Sequence, residues 1–252
     1  MARSSEKKHW DEFWAASQAI DDVYGTDDRI LDNLERWSRV DGLRVLEVGA
    51  GTGRDTDTLA SRNATAYALD YSEESLSLMK NSLRNAVIIT CGDALALPFC
   101  DESFDVVFHQ GLLEHFRNPA DLLDENVRVL KKGGIVLVDV PQRYHYYTVL
   151  KHILIVFGKW FAGWETEFSA RELRELLESR GLQVLGTYGH NLCPPIWYRG
   201  FRRLCLRIGL RLPMFRRGPR FIARGWRALR SLVPKGIYEN TAMVVGCIAR
   251  KK

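Results

Sequence analysis

Short apolar runs and amphipathic segments alternate along the first 140 residues. Leu43 to Val48 is a compact β-branched run that ends in a glycine cluster, so it predicts a strand followed by a tight turn. A helix is expected from Thr56 to Ser61, and Thr65 to Leu69 is a second strand, closed by Asp70. Ser72 then offers an N-cap, with Glu73 and Glu74 in the first turn of a second helix. Val87 to Thr90, Phe104 to Phe108 and Ile135 to Val140 supply three more strands. A helix from Pro119 to Leu130 separates the last two, with Lys132-Gly133-Gly134 as its stop. An aromatic stretch from Pro141 to Trp164 carries no clear periodicity. Beyond it come a helix from Ser169 to Ser179 and a strand from Gln183 to Tyr188, and Ala242 to Ala249 forms a closing strand. At the N-terminus, Trp10, Phe13 and Trp14 recur at helical spacing between His9 and Ile20.

Strands that alternate with helices pair in parallel through right-handed crossovers, which gives an α/β, doubly wound sheet. At 252 residues the chain is long enough for one large domain with a substantial core. We take residues 1–252 as a single domain, with residues 1–40 as a helical N-terminal segment and residues 190–238 as an insertion before the last strand. No apolar run approaches the roughly 20 residues of a membrane-spanning helix. The start of the chain is polar and charged, unlike a secretory signal. Five cysteines with no close pair suggest neither a disulfide framework nor a zinc site, which fits a cytoplasmic protein.

A net charge of +5 conceals an uneven distribution. No acidic residue occurs between Glu178 and Glu239, and residues 197–235 carry twelve Arg and Lys. The rest of the chain holds 24 basic against 31 acidic residues. Within the basic segment, Trp197, Phe201, Leu204, Ile208 and Leu212 share a helical face opposite Arg199, Arg203, Arg207 and Arg211. After a break at Pro213 to Pro219, Ile222, Trp226, Leu229 and Val233 repeat the pattern. Two amphipathic helices of this kind suit the inner face of an anionic membrane, bound peripherally. They also suit a lid packed on the domain, or a nucleic acid backbone such as RNA.

Gly49, Gly51 and Gly53 sit at a strand-to-helix turn, where the backbone comes close to ligands. The spacing is not that of a dinucleotide fingerprint, because the third glycine comes one position early. Glu47, two residues before the first glycine, would repel a pyrophosphate but suits a ligand bearing an ammonium and a sulfonium. Asp70 and Asp93 fall at the ends of the next two strands, placed to accept from ribose hydroxyls and from an adenine amino group respectively. Three carboxylates along one sheet edge match a cationic adenosine ligand.

Several segments together resemble the class I S-adenosylmethionine-dependent methyltransferases, most closely the small-molecule group that includes quinone-biosynthesis enzymes. They are Val45 to Gly53, Leu69-Asp70-Tyr71-Ser72, Gly92-Asp93-Ala94 with Leu97-Pro98-Phe99, Ser103 to Val107, Leu113-Glu114-His115 and Arg128 to Gly134. The resemblance implies a Rossmann-like seven-stranded sheet of order 3-2-1-4-5-7-6, with its last strand antiparallel. It implies S-adenosylmethionine as cofactor, with Gly49, Gly51 and Gly53 behind the methionyl part. It also implies Asp70 with Tyr71 at the ribose, Asp93 with Ala94 at the adenine, and Gln110 at the methionine end. Trp14 would cover the cofactor from an N-terminal lid. No metal is implied.

Methyl transfer needs alignment above all, and a hydroxyl nucleophile gains from a base with pKa near 7. His145 and His115 are the catalytic candidates, and Glu165 and Glu167 are further proton acceptors. The sequence after the fourth strand, His109-Gln110-Gly111-Leu112, lacks the Pro-Pro-aromatic motif of enzymes that methylate amino groups of DNA, and no Pro-Cys nucleophile exists. These features favour a small or lipophilic acceptor, methylated at oxygen. An RNA acceptor and an inactive scaffold are the alternatives.

Overall fold

The computed structural model describes residues 7–15, 29–158, 165–191, 201, 204–205, 209–210 and 234–252. Seven strands form one sheet: β1 (Arg44–Val48), β2 (Thr65–Asp70), β3 (Val87–Cys91), β4 (Phe104–Gln110), β5 (Leu130–Pro141), β6 (Leu182–His190) and β7 (Val244–Lys251). Their order is β3-β2-β1-β4-β5-β7-β6, as the resemblance implies. The first five pair in parallel, and β7 runs antiparallel between β5 and β6.

Alternation along the central strands explains why both faces are covered. Val45, Val106, Phe108, Ile135, Leu137 and Ile248 point to one face, where Ile30 and Leu34 of α2 (Arg29–Leu34) and Leu59 of α3 (Arg54–Ala60) pack on them. Leu46, Val48, Val107, Val136, Val138 and Cys247 point to the other, against Leu122, Leu123 and Val129 of α5 (Pro119–Val129) and Leu173 and Leu177 of α7 (Ala170–Ser179). Each such fully buried aliphatic side chain contributes about 1.5–3 kcal/mol.

The helix ends follow local chemistry. Ser72 caps α4 (Glu73–Ser82) by accepting from the Ser75 amide at 3.3 Å. Ser169 and Glu172 form a reciprocal capping box at α7. Three expectations shift. The Lys132-Gly133-Gly134 stop lies inside β5, because Leu130 already pairs with Phe104 across a bulge before the ladder resumes at Val106 and Ile135. His115, whose place after the fourth strand reads in the sequence as the start of a helix, instead ends a single 3-10 turn (Leu113–His115). The aromatic stretch after β5 contains a helix, α6 (Tyr146–Val156). Its buried residues are Thr148 and Lys151, while Val149, Ile153 and Val156 are exposed. That inverted pattern gives no core-facing apolar stripe to detect.

The helix predicted from His9 spans α1 (Lys7–Ala15) among the described residues. Apart from a few positions, the two amphipathic helices expected in residues 197–235 lie outside the described residues, as does much of the 1–40 segment. A short helix, α8 (Lys235–Thr241), leads into β7. Among the described residues no helix is long and apolar enough to cross a membrane.

Candidate active site

The site lies where β1, β2, β4 and β5 end, the edge at which open α/β sheets take ligands. A surface cavity lined by Glu35, Arg39, Val40 and Arg62 lies at the opposite edge, where β1 and β2 begin. All three glycines of the β1 turn adopt left-handed backbone, with φ of 69°, 56° and 68°. A Cβ on Gly49 would stand 2.9 Å from Leu112, and one on Gly53 2.9 Å from Met79. These glycines are thus fixed by close packing of the turn as well as by its φ angles. The Gly51 amide donates to Asp70 Oδ2 at 2.7 Å, and the Ser72 amide donates to Oδ1 at 2.9 Å. Asp70 therefore clamps the β1 and β2 turns together. Burial pushes its carboxyl up, and the donated amides hold it back.

Glu47 is 1% exposed at the end of β1. Its Oε2 accepts from the Thr56 amide at 3.1 Å and from the Thr56 hydroxyl, and its Oε1 accepts from Gln110 Nε2 at 3.2 Å. The same Gln110 amide also donates to Asp55, which pairs with Arg54 at 2.7 Å. Gln110 Oε1 accepts from Arg29, and Arg29 pairs with the fully buried Asp139 of β5 at 2.8 Å. The Tyr188 hydroxyl donates to Asp139 at 3.3 Å. Burial, then the Asp55 charge, push Glu47 up to about 8.

Sequence reasoning named Glu47 and Gln110, which the structure brings together, and did not name Asp55, Arg29 and Asp139, which join the same network. Asp139 had a legible signal, an acid inside an apolar strand. Arg29 had none.

Four carboxyl groups, Glu47, Asp55, Asp70 and Asp139, stand along this edge against Arg54 and Arg29. One of them, Glu47, is forced toward its neutral form by burial and by the Asp55 charge. That donor set fits a ligand carrying an ammonium and a sulfonium, and it opposes a polyphosphate.

Asp93 accepts from the Leu95 amide at 2.8 Å and bridges to Ala96, with Ala94 buried beside it. Helix α1 crosses the same edge. Asp11 accepts from the Ser72 hydroxyl at 2.5 Å, and the Lys7 ammonium lies 5.7 Å from the Tyr71 ring centre. At the other side of α1, the Trp10 ring meets His115 edge-on at 4.9 Å. Trp14 is buried and contacts Phe13. The structure thus gathers Glu47, the glycines, Asp70, Tyr71 and Gln110 around one edge and lays α1 over it.

Comparison with known proteins agrees with this geometry. Residues 46–138 match the family model described as a methyltransferase domain. The demethylmenaquinone methyltransferase of Renibacterium salmoninarum is 35% identical over 148 residues, 55% of this chain and 62% of that protein. The demethylmenaquinone methyltransferase of Bacillus velezensis is 30% identical over 167 residues, 56% of this chain and 72% of the relative. The chain belongs to the S-adenosylmethionine-dependent methyltransferase family. A Haloferax volcanii methyltransferase solved with the Trm112 activator shares the fold of this methyltransferase chain. Its TM-score is 0.67 at 19% identity, over 98% of this chain and 97% of that one.

The two histidine candidates of this methyltransferase chain occupy different settings. His145 is buried and caps α6, its Nδ1 accepting from the Tyr147 amide at 3.2 Å. Burial lowers its pKa. His145→Ala removes that cap, worth ~1 kcal/mol, and is expected to lower Tm by about 2–4 °C. His145→Asn, which can cap, is expected to restore most of the loss in a thermal melt. His115 is buried behind Trp10, and burial pushes it down to about 4, so its ring is neutral at pH 7. His109, fully buried in β4, is driven down to about 3 by burial.

Proposed function

We propose that this chain transfers a methyl group from S-adenosylmethionine to a lipophilic, quinol-type acceptor, working peripherally at an anionic membrane surface. The carboxylate-rich edge around Glu47 carries the cofactor part of this reading. Glu47, with Gln110, would hold the ammonium and the methionine end. Asp70 and Tyr71 would hold the ribose, Asp93 and Ala94 the adenine, and Trp14 would sit in the covering helix. The glycine turn gives the backbone a close approach. The cofactor supplies, when bound, an electrophilic methyl group on sulfur. The chain's own task is to exclude water, orient the acceptor and remove its proton. Support for the acceptor class comes from the similar proteins named for demethylmenaquinone.

Support for the surface comes from α6 and the basic segment. The outer side of the 144–157 region shows Tyr144, Tyr146, Val149, Ile153, Val156 and Phe157, with Val156 82% and Phe157 70% exposed. So many exposed apolar side chains on one short segment are unusual on a surface that meets only water. It occurs in a chain whose residues 197–235 carry twelve basic side chains, complementary to anionic headgroups. The purified chain is expected to float with phosphatidylglycerol-containing liposomes and to stay behind with neutral ones. Val149→Asp with Ile153→Asp should abolish flotation without lowering Tm. Salt-sensitive RNA binding with no flotation would overturn the membrane part of the proposal.

A further inference from the structure

A second polar cluster lies beyond the cofactor edge. Glu114 and His115 close the turn after β4, Lys151 and His152 belong to α6, and Glu165 and Glu167 precede α7. The Thr166 amide donates to the Glu114 carbonyl at 3.0 Å, pinning the third segment to the first. Lys151 is 2% exposed, and its ammonium meets Glu165 Oε2 at 2.8 Å and Glu167 Oε1 at 2.6 Å. The largely exposed His152 ring lies 3.1 Å from Glu167 Oε2. Glu114 is 3% exposed beside this pair, and its Oε2 has no hydrogen-bond partner among the described residues.

Three carboxyl groups thus surround one buried ammonium. Burial and the Glu165 charge push Glu114 well above the usual carboxylate range; Asp139, itself paired with Arg29, adds to this, and Lys151 opposes it. Neighbouring His115 is neutral and contributes no charge. A buried polar atom left without a partner is costly, so a purely structural cluster would be expected to satisfy it. The spare capacity is for a hydrogen-bond donor that arrives with a ligand. A hydroxyl meets this need, since it donates one hydrogen bond to a carboxyl oxygen.

We propose that this cluster is the acceptor subsite and that Glu114 is a catalytic residue there, taking the proton of a phenol- or quinol-type hydroxyl. The inference rests on the methyl-transfer reading above. The acceptor O–H bond breaks, its electron pair stays on the acceptor oxygen, and the proton ends on Glu114 Oε2. The Lys151 ammonium, held by Glu165 and Glu167, reduces the negative charge that the acceptor oxygen meets. A carboxylate whose pKa is raised above its usual range is a stronger base toward a weakly acidic phenol.

Glu114→Gln keeps the shape of the neutral carboxyl and removes the base. With 1,4-naphthalenediol as acceptor, turnover is expected to fall at least ~100-fold. The wild-type rate should rise with pH as Glu114 ionises, and this acid limb should vanish in the variant. Affinity for S-adenosylhomocysteine should stay the same in calorimetry. A second readout needs no cofactor: bound 4-nitrophenol should ionise at a higher pH on the wild type than on Glu114→Gln, because the ionised carboxylate opposes the phenolate charge, and visible absorbance reads the difference. Equal ionisation on the two proteins, no binding of 4-nitrophenol to the wild type, or an unchanged acid limb overturns the assignment. Failure of the wild type to bind S-adenosylhomocysteine would instead remove the methyl-transfer reading.

Discussion

Replacing Glu47 with glutamine is expected to weaken S-adenosylmethionine binding at least ~100-fold while making the unliganded protein more stable at pH 8.5. The two effects have one cause. Glu47 lies buried beside Asp55, and its carboxyl is raised to about 8. Below pH 4.5 it is protonated in the folded and unfolded chains alike, and its contribution to stability is fully present. Between pH 4.5 and 8 the unfolded chain ionises while the folded one holds its proton, so that contribution is lost as pH rises and is gone above 8. A shift of this size corresponds to stability on the order of a few kcal/mol. Glutamine removes the titration, and its amide oxygen can still accept from Thr56 once the Gln110 amide turns over. A cationic ligand acts in the opposite sense, drawing Glu47 to its ionised form. Wild-type affinity should therefore climb with pH between 6 and 8, with up to about one proton released on binding at pH 7. Urea unfolding at pH 6 and 8.5 checks the first effect. Calorimetry in two buffers of different ionisation enthalpy checks the second. A wild type whose stability is flat across this range would contradict the buried, protonated state of Glu47.

The second large effect is expected at Arg29. Its guanidinium meets the fully buried Asp139 and also donates to Gln110, so it ties α2 to the ends of β4 and β5. Arg29→Met leaves the Asp139 carboxylate buried without its guanidinium partner. Removing one partner of such a pair costs about 3–5 kcal/mol, whereas replacing both by apolar groups is often neutral. Arg29→Met with Asp139→Leu should then recover most of the loss in urea unfolding, although Gln110 would be less firmly held. A single variant as stable as wild type would show that the pair is not holding this edge together.

The sheet was legible because its strands are buried on both faces and read as continuous apolar runs, each closed by a turn residue. Glu47, Asp70 and Asp93 stood out for a related reason, since a carboxyl that closes such an apolar run is not there to fill the core. Gln110 followed from its position after the fourth strand. Asp139 breaks an apolar strand and could have been read the same way. Asp55 and Arg29 could not, because each gains its meaning from partners far away in sequence. Helix α6 escaped notice because it buries Thr148 and Lys151 and exposes its aliphatic residues, the reverse of the amphipathic rule. With α6 went the Lys151 cluster, since only that helix brings Lys151 against Glu165 and Glu167. His145 was visible as a histidine near the right edge, but its N-cap bond to Tyr147 depends on a helix that the pattern did not reveal.

The most direct test of methyl transfer as the chain's activity is a tracer experiment. The purified chain is incubated with S-adenosylmethionine labelled in its methyl group, reduced 1,4-naphthoquinone and anionic liposomes, then extracted into organic solvent. The account predicts label in the organic phase that depends on the protein and is lost in Glu47→Gln. Label that stays in the aqueous phase, from a chain shown by calorimetry to bind the cofactor, would contradict transfer to a quinol.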